Sequence, residues 1–308
     1  MGGLIFYCER MNKMNKKSVF QGVATALITP MDENGVNYEQ LGNLIDWQIA
    51  EGVNAIVICG TTGEASTLTD EEHRLAIRYA VERVNKRIPV IAGTGSNDTE
   101  YAIELTKYAC EAGVDGVLVV TPYYNKTSQA GLVKMFTTIA DASSVPLILY
   151  NVPSRTGVNI EPETYLKLAE HPMISGIKEA SGNLSAVATT ASLLKGKLDI
   201  YSGNDDQIVP IMSLGGTGVI SVLSNVMPKK TVEICDRFFQ GDIAGSRDLQ
   251  LELLPLIHAL FSDVNPIPVK SAMAKMGFCK NYLRLPLVEL AEGKEKVLFA
   301  LMQEQGIV

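Results

Sequence analysis

The 308-residue chain holds only three histidines, His73, His171 and His258, and none stands in an HExxH spacing. A histidine-built metal site is therefore not expected, and the metal assignment is none. Its five cysteines (Cys8, Cys59, Cys110, Cys235 and Cys279) are odd in number, widely spaced and free of any CxxC pair. That pattern argues against a disulfide framework or a zinc ribbon and for a reducing, cytoplasmic setting. Basic residues are in the minority, 27 Lys and Arg against 34 Asp and Glu, giving a net charge of −7 and a pI near 5.2. A broad nucleic-acid-binding surface needs the opposite balance, so no nucleic-acid partner is expected. No GxGxxG follows the first strand candidate, and no glycine loop ends in GK[ST], so the signatures of dinucleotide and Walker-type nucleotide sites are both missing. No apolar run reaches the length of a membrane span, so no membrane partner is expected either.

The opening MGGLIFYCERMNKMNKK reads as a tail, residues 1–17, outside the fold. Its apolar run LIFYC is too short for a signal-peptide core, and no small-residue cleavage site follows it. Phe6 occupies the position where a myristoylation signal needs Ser or Thr.

What the chain does contain is an ordinary globular composition, 46% hydrophobic and 20% charged. From Gly22 onward, short apolar β-type runs alternate with longer amphipathic stretches. The runs are GVATALIT, AIVICG, PVIAG, GVLVV, PLILYN, ISGIK, LDIYSG and GVISV. Continuous apolar runs are what parallel strands covered on both faces require. Between them, Leu41, Leu44, Ile45 and Ile49 of YEQLGNLIDWQIAEG fall at helical spacing, and Thr69 with Glu72 predicts a capping box. Eight such units with no break in composition predict an α/β fold of the (β/α)8 TIM-barrel type over residues 18–240. A C-terminal helical region is expected over 241–308. A doubly wound open sheet is the alternative architecture.

Barrels of this kind place their chemistry at the C-terminal strand ends, so those ends carry the functional reading. Strand two ends in GTTGE, strand four in TPYYN, strand five in YNVPSRTG, strand six in Lys178 and strand seven in SGND. The glycines of GTTGE suit a loop whose backbone N–H groups approach an anion, a carboxylate or a phosphate, or simply a tight turn. Lys178 is open to two readings. It is either an ion-paired strand-end lysine, with Glu179 as the nearest partner, or an amine whose desolvation keeps it neutral and able to attack a ketone. Tyr150, ending the neighbouring strand, offers a hydroxyl to carry protons, or else packs as a core aromatic. Arg155, on the loop that follows, offers a guanidinium fork for a substrate carboxylate, or a plain surface charge.

These residues stand inside the motifs GTTGEASTL, VIAGTGSN, VTPYYNK, LYNVPSRTG, GIKEASGN, GGTGVISV and NPIPVK, in this order from about Phe20 to the C-terminus. In them the chain resembles the dihydrodipicolinate synthase family of pyruvate-dependent class I aldolases, which includes N-acetylneuraminate lyase. The resemblance implies condensation of pyruvate with L-aspartate 4-semialdehyde, giving 4-hydroxy-tetrahydrodipicolinate for the diaminopimelate and lysine pathway. It also implies a covalent lysine imine in place of any cofactor. Lys178 matches the Schiff-base lysine, and Tyr150, Thr61 and Tyr124 match the hydroxyl relay, with Tyr124 reaching in from a neighbouring subunit of a homotetramer. Thr62, Ile220 and Gly203 match the surroundings of pyruvate, and Arg155 matches the residue receiving the semialdehyde carboxylate. His73, Asn97 and Tyr123 match part of the family's allosteric lysine site. Tyr101, however, replaces a glutamate that grips the effector's amine, and Ala65 and Asp70 also depart, so inhibition by lysine is expected to be weak. The alternatives within the family are an N-acetylneuraminate lyase or a 2-keto-3-deoxy sugar acid aldolase, whose polyhydroxylated substrates have less use for Arg155.

Overall fold

A computed structural model describes residue 16 and residues 18–308. The eight apolar runs all become strands: β1 (Gly22–Ala26), β2 (Ala55–Ile58), β3 (Val90–Gly93), β4 (Gly116–Val120), β5 (Leu147–Asn151), β6 (Ile174–Glu179), β7 (Asp199–Ser202) and β8 (Gly218–Ser221). Each pairs in parallel with its sequence neighbours, and β8 returns to β1, so the sheet closes into the expected barrel. The register along the site side sets Tyr150 level with Lys178 and Lys178 level with Tyr201. One irregularity interrupts it. Leu147 pairs with Ile174 but Ile148 pairs with Gly176, so Ser175 is an extra residue in β6, a β-bulge.

The continuous apolar runs resolve into two cores, because successive side chains of a strand point to opposite faces. Ala24, Ala55, Val57, Ile91, Leu118, Ile148, Tyr201 and Ile220 fill the barrel interior. Val23, Ile56, Ile58, Leu147, Leu149, Ile174 and Ile177 face outward and pack under the helices. Each fully buried Val, Leu or Ile among them contributes about 1.5–3 kcal/mol. Phe20 stacks on Tyr201 at a centroid distance of 4.2 Å, and the tyrosine hydroxyl donates to the Phe20 carbonyl at 2.7 Å. At Gly218 (φ +147°) a Cβ would meet the Gly22 carbonyl oxygen at 1.9 Å, so β1 and β8 close only over glycine.

The outer layer comprises α1 (Tyr38–Ala50), α2 (Asp70–Val84), α3 (Thr99–Ala112), α4 (Gln129–Asp141), the four-residue α5 (Pro153–Thr156), α6 (Pro162–Leu168), α7 (Leu184–Leu194), α8 (Ile208–Ser213) and α9 (Pro228–Phe239). Local chemistry sets their starts: Asn37, Asp98, Ser128 and Asn183 accept from first-turn amides, and the Thr69–Glu72 capping box forms as expected. Past the barrel come α10 (Ile243–Leu260), α11 (Ile267–Lys275) and α12 (Glu292–Glu304). The expected tail falls outside the described residues except for Lys16, whose ammonium donates to the carbonyls of Ala169, His171 and Ile174 at 2.5–2.8 Å. No helix among the described residues is long and apolar enough to cross a membrane.

Candidate active site

Lys178 and Tyr150 end adjacent strands at the same level, 5% and 7% exposed, with the lysine Nζ 4.3 Å from the centroid of the tyrosine ring. The ion-pair reading of Lys178 fails on geometry. Glu179 points to the outer side of β6, where its carboxylate accepts from Asn151 Nδ2 at 3.2 Å, Tyr165 OH at 3.1 Å and Ser181 N at 2.8 Å. Alternation along the strand separates the two charges. Lys178 is left at the mouth of the barrel with an aromatic face beside it, where a cation and a π-system attract.

Beside this pair opens a cavity of about 420 Å³, lined by Thr61, His73, Tyr123, Tyr150 and Arg155 among others. Thr61 and Thr62 stand on the loop after β2. Thr62 is 2% exposed, and its Oγ1 accepts from Asn265 Nδ2 at 3.0 Å. Arg155 lies exposed on α5 and donates from Nη2 to the Asn265 carbonyl at 2.9 Å. Gly203 follows β7, its amide donating to the Glu179 carbonyl at 2.7 Å. Ile220 is fully buried on β8, level with Ala24. Tyr124 behaves differently. It holds a left-handed backbone (φ 68°), is 94% exposed and is not among the residues that line the cavity.

Two residues without an assigned role hold this arrangement together, Asn265 just before α11 and Lys270 within it. Asn265 reaches Thr62 with its side chain and Arg155 with its carbonyl, while its own buried Oδ1 has no hydrogen-bond partner among the described residues. Lys270, wholly buried, pairs with Glu64 at the end of GTTGE, and Glu64 also accepts from the Arg284 amide at 3.4 Å. Burial pushes the Lys270 ammonium below its usual range, with Glu64 opposing that shift. The NPIPVK motif contains Asn265 and Lys270, so sequence reading saw the segment without seeing what it grips.

The three residues matched to an effector site are near one another. His73 bonds through Nε2 to the Gly93 carbonyl at 2.9 Å, and burial holds its imidazole below the usual value. Asn97 donates to the Tyr123 carbonyl at 3.2 Å. Tyr101, in the same cavity wall, donates its hydroxyl to Asp70 at 2.9 Å, and Asp70 also accepts from Arg74 at 2.8 Å. Burial and that carboxylate push the Tyr101 phenol up to about 12.

A closed (β/α)8 barrel with a buried lysine beside a tyrosine at its C-terminal mouth defines an enzyme of the class I, Schiff-base-forming aldolase type. The comparisons give the family within that class. Residues 19–305 match the model of the dihydrodipicolinate synthetase family. The 4-hydroxy-tetrahydrodipicolinate synthase of Lachnoclostridium phytofermentans is 56% identical over 293 residues, covering 94% of this chain and 100% of that one. The enzyme of the same name from Thermoanaerobacter sp. (strain X514) is 55% identical over 291 residues, 94% and 98% of the two chains. Among solved structures, dihydrodipicolinate synthase from Thermotoga maritima superposes with a TM-score of 0.93 at 42% identity, covering 94% of this chain and 100% of that one. The chain belongs to the dihydrodipicolinate synthetase family.

Proposed function

We propose that the chain is a 4-hydroxy-tetrahydrodipicolinate synthase, joining pyruvate to L-aspartate 4-semialdehyde in the diaminopimelate and lysine pathway. The observation that carries the reading is Lys178 level with Tyr150 at the barrel mouth, with Arg155 on the next loop. The shared name and nearly full-length identity of the relatives favour it over a sugar-acid aldolase or a sialic acid lyase.

In this reading the neutral Lys178 amine attacks the pyruvate ketone. The carbonyl oxygen leaves as water and an iminium remains. The iminium draws electrons from the neighbouring methyl group, which gives up a proton. The resulting enamine carbon then bonds to the aldehyde carbon, whose oxygen takes a proton. Finally the semialdehyde amine bonds to the iminium carbon, the bond to Nζ breaks, and ring closure restores the lysine. Tyr150, Thr61 and the partner subunit's Tyr124 carry the protons, since hydroxyls both give and accept them. The exposure of Tyr124 in the single chain supports its reaching toward another copy in a homotetramer. Thr62, Gly203 and the Ile220 backbone surround pyruvate, and Arg155 takes the semialdehyde carboxylate through a bidentate bond. The covalent imine supplies the electron sink, so the reaction calls for no metal and no external cofactor. The barrel domain spans 18–240 with 241–308 as its helical extension, and the enzyme works in the cytoplasm.

Borohydride reduction in the presence of pyruvate tests the reading: intact mass and peptide mapping should place one reduced pyruvate adduct on Lys178. A coupled assay should then show turnover of aspartate semialdehyde. An unmodified mass, or turnover of N-acetylneuraminate in its place, would sink the proposal.

A further inference from the structure

Neither group that meets the ketone in the reading above is held at its tip. Lys178 Nζ lies 4.3 Å from the centroid of the Tyr150 ring, and among the described residues neither that nitrogen nor the Tyr150 hydroxyl makes a hydrogen bond. A nucleophile and a proton carrier need free tips, because each makes and breaks bonds in turn. They also need a fixed relation, since an error of about 1 Å can cost about a hundredfold in rate. Something other than their own contacts must therefore hold them in place.

The restraint stands behind them. Tyr150 and Lys178 are paired across β5 and β6, and the next pair along is Asn151 with Glu179, on the outer side of the barrel. Both are buried, 1% and 6% exposed. Asn151 Nδ2 donates to both Glu179 carboxylate oxygens at 3.2 Å and to Asn159 Oδ1 at 2.9 Å, and Asn151 Oδ1 accepts from the Ile160 amide at 3.1 Å. The Ile160 amide can only donate, so the Asn151 amide has a single orientation, nitrogen toward the carboxylate. Tyr165 of α6 and the Ser181 amide complete the carboxylate's partners. The pair is thus gripped by α6, by the loop after β6 and by the segment just after α5, the helix that carries Arg155. Consecutive strand residues share a rigid peptide plane and point to opposite faces, so Lys178 cannot roll without Glu179, nor Tyr150 without Asn151. Pinning the rear pair pins the stems of the front pair and leaves the reacting atoms free.

We infer that Asn151 and Glu179 are positioning residues of the reaction, a hydrogen-bonded pair behind the sheet that sets the Lys178 amine against Tyr150. The inference rests on the Schiff-base role proposed above for Lys178. Neither residue touches substrate, and no bond or proton changes at the pair itself.

The test reads the rate of imine formation, by quenching the enzyme with borohydride at set times after mixing with pyruvate and weighing the adduct, beside a melting curve. Asn151→Asp keeps the shape of the side chain and the acceptor for the Ile160 amide but sets one carboxylate against another. It should slow adduct formation about tenfold or more. Adding Glu179→Gln reverses donor and acceptor across the pair and keeps an oxygen for the Ser181 amide. The double variant should return to within about threefold of the wild type. Ser246→Ala, which loses a buried bond to the Ile234 carbonyl between α9 and α10, should lower the melting temperature and leave the rate unchanged. A wild-type rate in Asn151→Asp, or a double variant no faster than the single one, would overturn the inference. So would slowing in Ser246→Ala, which would mean that the rate merely follows stability. Should Asn151→Asp fail to fold, Asn159→Ala decides, because it removes one exposed partner of the Asn151 amide. It should slow adduct formation about threefold, and an unchanged rate would overturn the inference. A wild type that forms no adduct would instead overturn the proposed function and leave the pair with nothing to position.

Discussion

A methyl group added at Gly203 would lie 2.7 Å from the Ala180 Cβ, 3.1 Å from the Glu179 carbonyl and 3.2 Å from the Lys178 Cγ. The first of these is closer than real Cβ contacts come, and the last is the stem of the lysine proposed to react, so relieving the strain displaces it. Gly203→Ala should therefore fold, because the clash is local, yet lose about tenfold or more in kcat, since a misplacement of about 1 Å can cost a hundredfold. Steady-state kinetics beside a melting curve check this, and an alanine variant of full activity would show that the stem has slack. Lys178, Tyr150 and Arg155 were all legible in the sequence because each stands at a strand end within a recognisable motif. The part played by Asn265 was not, because only the fold shows that this one residue bonds Thr62 with its side chain and Arg155 with its carbonyl.

Between elements, the loop after β2 is tied to α11 by the buried Glu64–Lys270 pair, whose members stand 206 residues apart. No local pattern announces a contact of that separation, which is why strands and helices could be read from the chain while their clamp could not. Lys270→Met should destabilise the protein by about 3–5 kcal/mol, because it strands the Glu64 charge in the interior. Adding Glu64→Gln should recover part of that loss. Denaturant melts of the single and double variants decide it, and an additive double variant would mean the pair is not coupled. A second tie, Arg284 with Glu72, holds both ions at about a fifth exposure and lowers the Glu72 carboxyl to about 2. The Arg284 bond is the largest cause, with the Thr69 cap adding to it. Its folded value lies below the unfolded one of about 4.3. The pair thus adds stability that is full above that value and drains away as pH falls toward 2. Acid titration of Glu72→Gln should show a lower plateau, by about 1–3 kcal/mol, and a shallower fall between pH 4 and 2. Parallel curves for the two proteins would contradict it.

At the scale of the whole molecule, closure of the sheet leaves the barrel with no unpaired edge strand, the feature by which sheets recruit strangers. Association must then proceed through side chains on loops and helices, and Tyr124 is the most exposed of the large apolar residues. Light scattering should give a mass near four times 33.4 kDa. A Tyr124→Arg variant should shift that distribution downward and lose activity, whereas an active monomer would refute the partner's role in the relay. In the assembled enzyme, millimolar L-lysine should leave activity nearly unchanged. Asp70, the carboxylate bonded to Tyr101, is already engaged by that phenol and by Arg74.

The bulge at Ser175 decides the side of the strand on which Lys178 emerges. Ile174 and Ile177 both face the helices, three positions apart, which strict alternation forbids. Counted in even and odd steps from Ile174, Lys178 would fall on the helix side and Glu179 inside the barrel. Ser175 changes the parity of the strand, so that the same six residues present an amine to the mouth and a carboxylate to the wall. Were Ser175 paired as an ordinary strand residue instead of bulging out, Lys178 and Glu179 would exchange faces.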